Sequence, residues 1–244
     1  MKKLTIATLL MLASTLSSIA QVDDIKSSSK GNSSKGSSDR GGGSGGFNIF
    51  FVFDMFSAIH DWQMNTLKRQ EEIPSLVGLD FMLQAAIQPS SYYVVNPRLR
   101  GTFGIFSADF RLNYLLEESI SGRKYLITYD WQFVQLNFIN HKNVVARIGT
   151  GIMIEGFADH EAFSESSIST NFMYDKWGGF GEYRSAHDYY TEAVPRREFS
   201  FQVHRELFES GHWHGLVSGG FQFQRYYSSI NVWGIQLGLI FRLY

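Results

Sequence analysis

The chain has 244 residues, a formal net charge of −1 and no cysteine. Without cysteine it forms no disulfide and runs no thiol chemistry, and its near-balance of acids and bases gives no pointer to nucleic acid. Beyond the N-terminal segment no apolar run approaches the ~20 residues of a helical membrane span, which leaves strand-rich classes, soluble or membrane-embedded.

Residues 1–20 read as a secretory signal peptide. Lys2 and Lys3 precede an apolar run from Leu4 to Ala13, and Ser18-Ile19-Ala20 supplies small residues for cleavage before Gln21. No cysteine follows that run, so a lipoprotein anchor is excluded. Residues 21–46 are expected to form a flexible Ser/Gly-rich linker, because Ser27 to Gly46 holds no bulky apolar residue to offset the entropy of ordering. Gly41 to Gly46 lacks the preceding strand and the Gly-Lys-Ser/Thr ending of a phosphate loop.

The remainder, 47–244, is expected to be one barrel domain. Phe47 to Phe56 is the first strand candidate, with a short buried helix as the alternative because both faces are rather apolar. Ser57 to Ser75 reads as a loop. Leu76 to Gln88 alternates well, with Leu79, Phe81, Leu83 and Ile87 opposite Asp80, Gln84 and Gln88. Arg98 to Leu116 reads as one long strand whose parity flips near Gly104–Phe106, a β-bulge; the alternative is two strands with a very tight turn there. Strands are also expected over 125–138, with a parity flip near Val134, and over 144–155. Gly156 to Pro195 lacks sustained alternation and reads as the longest loop. Strands over 198–207, 214–227 and 232–244 complete the set, the last with Trp233, Ile235, Leu237, Leu239, Phe241 and Leu243 on one face.

The expected fold is therefore all-β: an eight-stranded antiparallel transmembrane barrel with its long loops on one side, the asymmetry of outer-membrane barrels. The opposite strand face carries Asp80, Arg98, Arg100, Asp109, Arg111, Asp130, Arg147, Glu155, Glu206 and Arg242. In a membrane barrel these charges must pair inside; their near balance suits a lumenal salt-bridge network. Arg205 is an exception on the apolar face, close enough to a turn to snorkel.

The ending Gly238-Leu-Ile-Phe-Arg-Leu-Tyr244 resembles the C-terminal assembly signal of bacterial outer-membrane barrels, in which Phe241, Leu243 and Tyr244 would take part. The plan of signal peptide, polar linker and barrel resembles the small barrels typified by the OmpA transmembrane domain, in a Bacteroidetes-type form. The chain departs from that pattern at Tyr244, which is out of step with Phe241 and Leu243. The resemblance implies a bacterial outer-membrane location, with membrane lipids and the barrel assembly machinery as partners.

Side chains fill so small a lumen, which argues against a wide channel and leaves a narrow porin-like path as one alternative. A lipid-modifying enzyme is another. Ser200, His204 and Glu206 share a strand face, but Ser200 and His204 are about 13 Å apart along it, too far to hydrogen-bond. His212 and His214 lack a further metal ligand, so neither a metal nor a cofactor is expected. The 156–195 stretch is the candidate binding loop: Trp177, Tyr183, Tyr189 and Tyr190 lie among acids, a mixture that suits a surface glycan or a protein ligand. The expected function is structural or surface-binding, without enzymatic activity.

Overall fold

A computed structural model describes residues 21–33, 49–88, 92–119, 122–156, 161–189, 191 and 193–244. The expected signal peptide, the rest of the linker and Tyr190 lie outside them. Helix α1 (Gln21–Ser33) falls within the span expected to be linker, and helix α2 (Ile49–Leu67) leads through a 3-10 turn at Pro74–Leu76 into the sheet. The strands are β1 (Val77–Gln88), β2 (Tyr92–Phe103), β3 (Phe106–Ser119), β4 (Gly122–His141), β5 (Val144–Glu155), β6 (Ala162–Tyr174), β7 (Trp177–His187), β8 (Arg196–Ser210), β9 (Trp213–Tyr226) and β10 (Ile230–Leu243). All neighbours are antiparallel, and β1 pairs with β10 to close the barrel.

The barrel thus has ten strands, not the expected eight. Three differences account for the change. Of the span 47–56, Phe47 and Asn48 lie outside the described residues and Ile49–Phe56 forms no strand: from Ile49 the chain is helical through Leu67, a stretch with no Gly or Pro to break it. An apolar residue at almost every position had hidden the period. The supposed bulge at Gly104 is instead a two-residue turn joining β2 to β3, with Gly104 at φ +59° and Phe103 paired to Phe106. A glycine first in the turn supplies the positive φ that such hairpins need. Finally, most of the 156–195 stretch is the hairpin β6–β7. Its outward face carries Ser164, Ser166, Gly179 and Gly181, which give little apolar signal.

The expected long loops on one side are also absent. At one end, here the turn end, connections 104–105, 142–143, 175–176 and 211–212 have two residues each. At the far end the longest, 188–195, has eight residues. The parity flip near Val134 corresponds to a register shift in β4 between Trp131 and Val134, where Phe133 and Val134 both point outward. Gly151 faces this irregularity; a Cβ there would lie 1.9 Å from the Trp131 carbonyl oxygen, so only glycine lets the strands approach.

Burial is inverted relative to a soluble protein. Leu237 is 66% and Ile235 60% exposed on the outer wall, whereas Arg98 and Arg100 inside are each 2% exposed. At the turn end, Gln63 of α2 clasps the β2–β3 turn: its Nε2 donates to the Phe103 carbonyl at 3.1 Å, and the Ile105 N–H donates to its Oε1 at 2.7 Å. Gln63→Ala should cost about 1–3 kcal/mol, because it leaves both backbone groups unpaired. Limited proteolysis should then cut residues 49–67 faster.

Candidate functional site: the filled interior and its two mouths

Alternation places every second residue of each strand inside, and from the far end inward the lumen is filled in layers. The first layer is apolar. Ala86, Tyr92, Val94, Leu115, Leu126, Tyr226, Ile230 and Val232 form a collar around Val22 and Ile25 of α1. Both helix residues are fully buried. The Val22 N–H donates to Glu117 Oε2 at 2.9 Å, a carboxylate at the helix N-terminus where backbone donors are free. Ser29 Oγ donates to Glu155 at 2.6 Å, and Tyr227 reaches the same carboxylate at 2.7 Å. Burial pushes the Tyr227 phenol up, with Glu155 adding to the effect.

The middle layer is ionic. Arg98, Arg100, Arg111, Arg184 and Arg196 interlock with Asp109, Asp130, Glu165, Glu182 and Glu198 in one continuous network. Five cations meet five anions, so the network is neutral. Asp109 is its hub, touching Arg98, Arg100 at 2.9 Å and Arg184 at 3.3 Å. Arg196 bridges Asp130 at 2.6 Å and Glu165 at 3.0 Å, tying β4, β6 and β8 together. Beside it three amides form a closed ring. Gln84 donates to Gln202 at 2.8 Å, Gln202 to Gln236 at 3.1 Å, and Gln236 back to Gln84 at 2.9 Å. Each donates once and accepts once, so the ring is directional as well as packed.

The last layer lies toward the turn end. Arg242 Nε and Nη2 grip the two Asp80 oxygens at 2.8 and 3.3 Å, and Arg147 is buried nearby. Glu206 is inward-facing too, and His214 Nδ1 lies 2.5 Å from its Oε1. A register shift between Glu206 and Phe208 lets Glu209 approach the same place. Ligand atoms of Glu206, Glu209 and His214 lie within 4.8 Å of one another, a donor set that suits a divalent cation. Sequence spacing could not show this, because a three-residue step on a regular strand changes faces.

All ten charges named from the sequence point inward, but in different layers. Arg98, Arg100, Asp109, Arg111 and Asp130 belong to the network; Glu155 meets α1; Asp80, Arg147, Glu206 and Arg242 lie toward the turn end. The network members missed were Glu165, Glu182, Arg184, Arg196 and Glu198, most of them on or beside the hairpin read as loop. Of the candidate binding residues, Trp177 and Tyr183 are on β7 and face outward, and Tyr189 follows that strand. Phe241 and Leu243 face outward as well, while Tyr244 turns into the mouth and stacks on His214 at 4.5 Å between ring centroids. Arg205 lies over the Trp177 ring at 5.2 Å. Ser200 and His204 face the lumen without bonding to each other, since neither His204 ring nitrogen has a partner. No protein-family model matches the chain, and no curated protein matches it.

Proposed function

We propose that the chain is an integral outer-membrane β-barrel with a structural or surface-binding role exercised at its mouths. It is neither a pore nor an enzyme. One observation carries the reading: a largely apolar outer wall surrounds a buried, charge-neutral polar interior, the arrangement a bilayer stabilises and water does not. Strands of twelve to fifteen residues, which most of these are, run about 40–50 Å, enough when tilted to cross the hydrocarbon layer. No helix among the described residues is long and apolar enough to span, so the strands do the crossing. The two-residue turns suit the periplasmic side, where outer-membrane barrels keep their connections short.

The interior supports a closed rather than a conducting barrel. An ion would have to pass α1, then an ionic network whose members already hold one another, then the amide ring. Support for the non-enzymatic reading is more local. Ser185 Oγ lies 3.3 Å from His187 Nδ1, but among the described residues no carboxylate bonds that imidazole to orient it.

Refolded protein in a planar bilayer tests the reading. Insertion without discrete openings is expected, and Ile25→Asp, which evicts α1 from its apolar collar, should remain silent because the deeper layers stay in place. Stable unitary openings in the unaltered protein would make it a pore. A chain that refolds as a water-soluble monomer without detergent would remove the membrane altogether.

A further inference from the structure

We propose that Arg147 forms the floor of a binding site for a small oxyanion of phosphate size, entered from the turn end of the barrel. The argument starts from charge. The ionic network closes on itself, five against five. Below it, Asp80 is the acid whose charge acts most on Arg147, and Arg242 already holds both of its oxygens. The other charges acting on Arg147 are the cations Arg98, Arg100 and Arg242. Arg147 is 6% exposed, and its Nε and Nη1 have no partner. A buried guanidinium without a counter-charge is among the most costly arrangements a fold can hold, and here it projects into space rather than into packed side chains.

That space is a cavity of about 70 Å³ lined by Arg147, Arg242, Lys142, Thr102 and Asn171, with Asp80 as its one acid, already held by Arg242. At roughly 30 Å³ of liquid volume per water it has the room of about two waters, space for one small ion. It adjoins a mouth of about 970 Å³ that shares Lys142, Asn143, Met173 and Tyr244 with it. The mouth itself carries Asp175, Glu206 and Glu209 as well as Lys142, so selection for an anion rests on the inner cavity, where the Arg147 guanidinium fork matches two oxygens of a tetrahedral anion. Asn171 adds a second unsatisfied group, its Oδ1 having no partner. Turned about its amide axis, Asn171 would offer a donor to the same cavity instead. Water satisfies N–H groups but not the charge, and the uncompensated charge is what selects an anion.

The test uses the whole chain refolded in detergent micelles, so it stands whether or not the membrane reading holds. Inorganic phosphate is titrated at constant ionic strength, with gluconate, too large for the cavity, as the balancing anion; urea unfolding is followed at each step. The unaltered protein should show a saturable rise in midpoint. Phosphate at a hundred times its dissociation constant multiplies the folded-to-unfolded ratio about a hundredfold. Arg147→Met should abolish that response and be at least as stable as the unaltered protein in phosphate-free buffer, since it removes an unpaired charge. Arg123→Met, on the exposed far rim, should leave the response intact. The proposal is overturned by a flat titration, by a response that survives Arg147→Met, or by an Arg147→Met loss of stability that is the same with and without phosphate. Should that variant not refold, calorimetric titration of phosphate into the unaltered protein decides: one equivalent bound supports the site, and none refutes it.

Discussion

Asp109→Ala should destabilise the barrel by about 3–5 kcal/mol, the usual cost of breaking a buried ion pair from one side. Asp109 lies within contact distance of Arg98, Arg100 and Arg184, so removing it leaves three guanidinium groups crowded around one void. Glu182 still holds Arg98 and Arg184, at 2.7 and 3.1 Å, which limits the damage to one node. Urea unfolding in micelles or bilayers measures the loss. A second substitution gives the sign of the effect. Asp109→Ala with Arg100→Met removes one cation along with the anion and should recover part of the lost stability. Glu118→Ala breaks the exposed rim pair with Arg123 and should change stability by no more than about 1 kcal/mol. If Asp109→Ala and Glu118→Ala cost the same, the interior is flooded with water and its pairs are screened.

The second large effect concerns the outer wall. Leu83→Arg places a cation midway along β1, between Leu239 of β10 and Pro97 of β2. In a bilayer the cost should be about 2–4 kcal/mol at the midplane, falling to about 0–1 near the interfaces. Leu79→Arg, nearer the turn end and in register with Leu243, should therefore cost much less. The chain already tolerates one cation near that end: Arg205, seated over Trp177. Bilayer unfolding of an arginine series at Leu79, Phe81, Leu83 and Ala85 should trace a peak. In a soluble barrel the same exposed positions would give a flat profile within about 0.5 kcal/mol, and that result would sink the membrane assignment.

The two strands that close the barrel were the easiest to see in the sequence, and for one reason. In β1 and β10 an apolar outer face alternates with charges and amides, so period two stands out. The hairpin β6–β7 obeys the same geometry with a weaker contrast. Ser164, Ser166 and Gly181 face outward where Leu or Phe would have marked the strand. That local silence hid three of the ten network members, Glu165, Glu182 and Arg184. Arg98, Asp109 and Arg111 were visible as inward charges, but their partners Glu182 and Glu198 lie 84 and 87 residues away, a pairing set by ring closure rather than by any local pattern. The helix at Ile49–Leu67 was obscured for the opposite reason: its first eight residues are apolar but for Asp54 and show no clear period, and the more polar half from Ser57 reads as a loop. The bulge that gathers Glu206, Glu209 and His214 leaves no trace in composition.

The seam between β1 and β10 joins the two most distant parts of the sheet, with Asp80 and Arg242 bonded across 162 residues of chain. Until that seam forms, both strands are open edges able to pair with other chains. A slip of one residue as it closes would turn one strand relative to the other, carrying either Asp80 or Arg242 to the outer face and leaving its partner alone inside. Their bond therefore favours the native register at the seam. Only the native alignment buries both charges together, and any other leaves a buried charge unpaired. Register across the longest chain separation in the barrel is in this sense specified by one aspartate and one arginine that take no part in the central network.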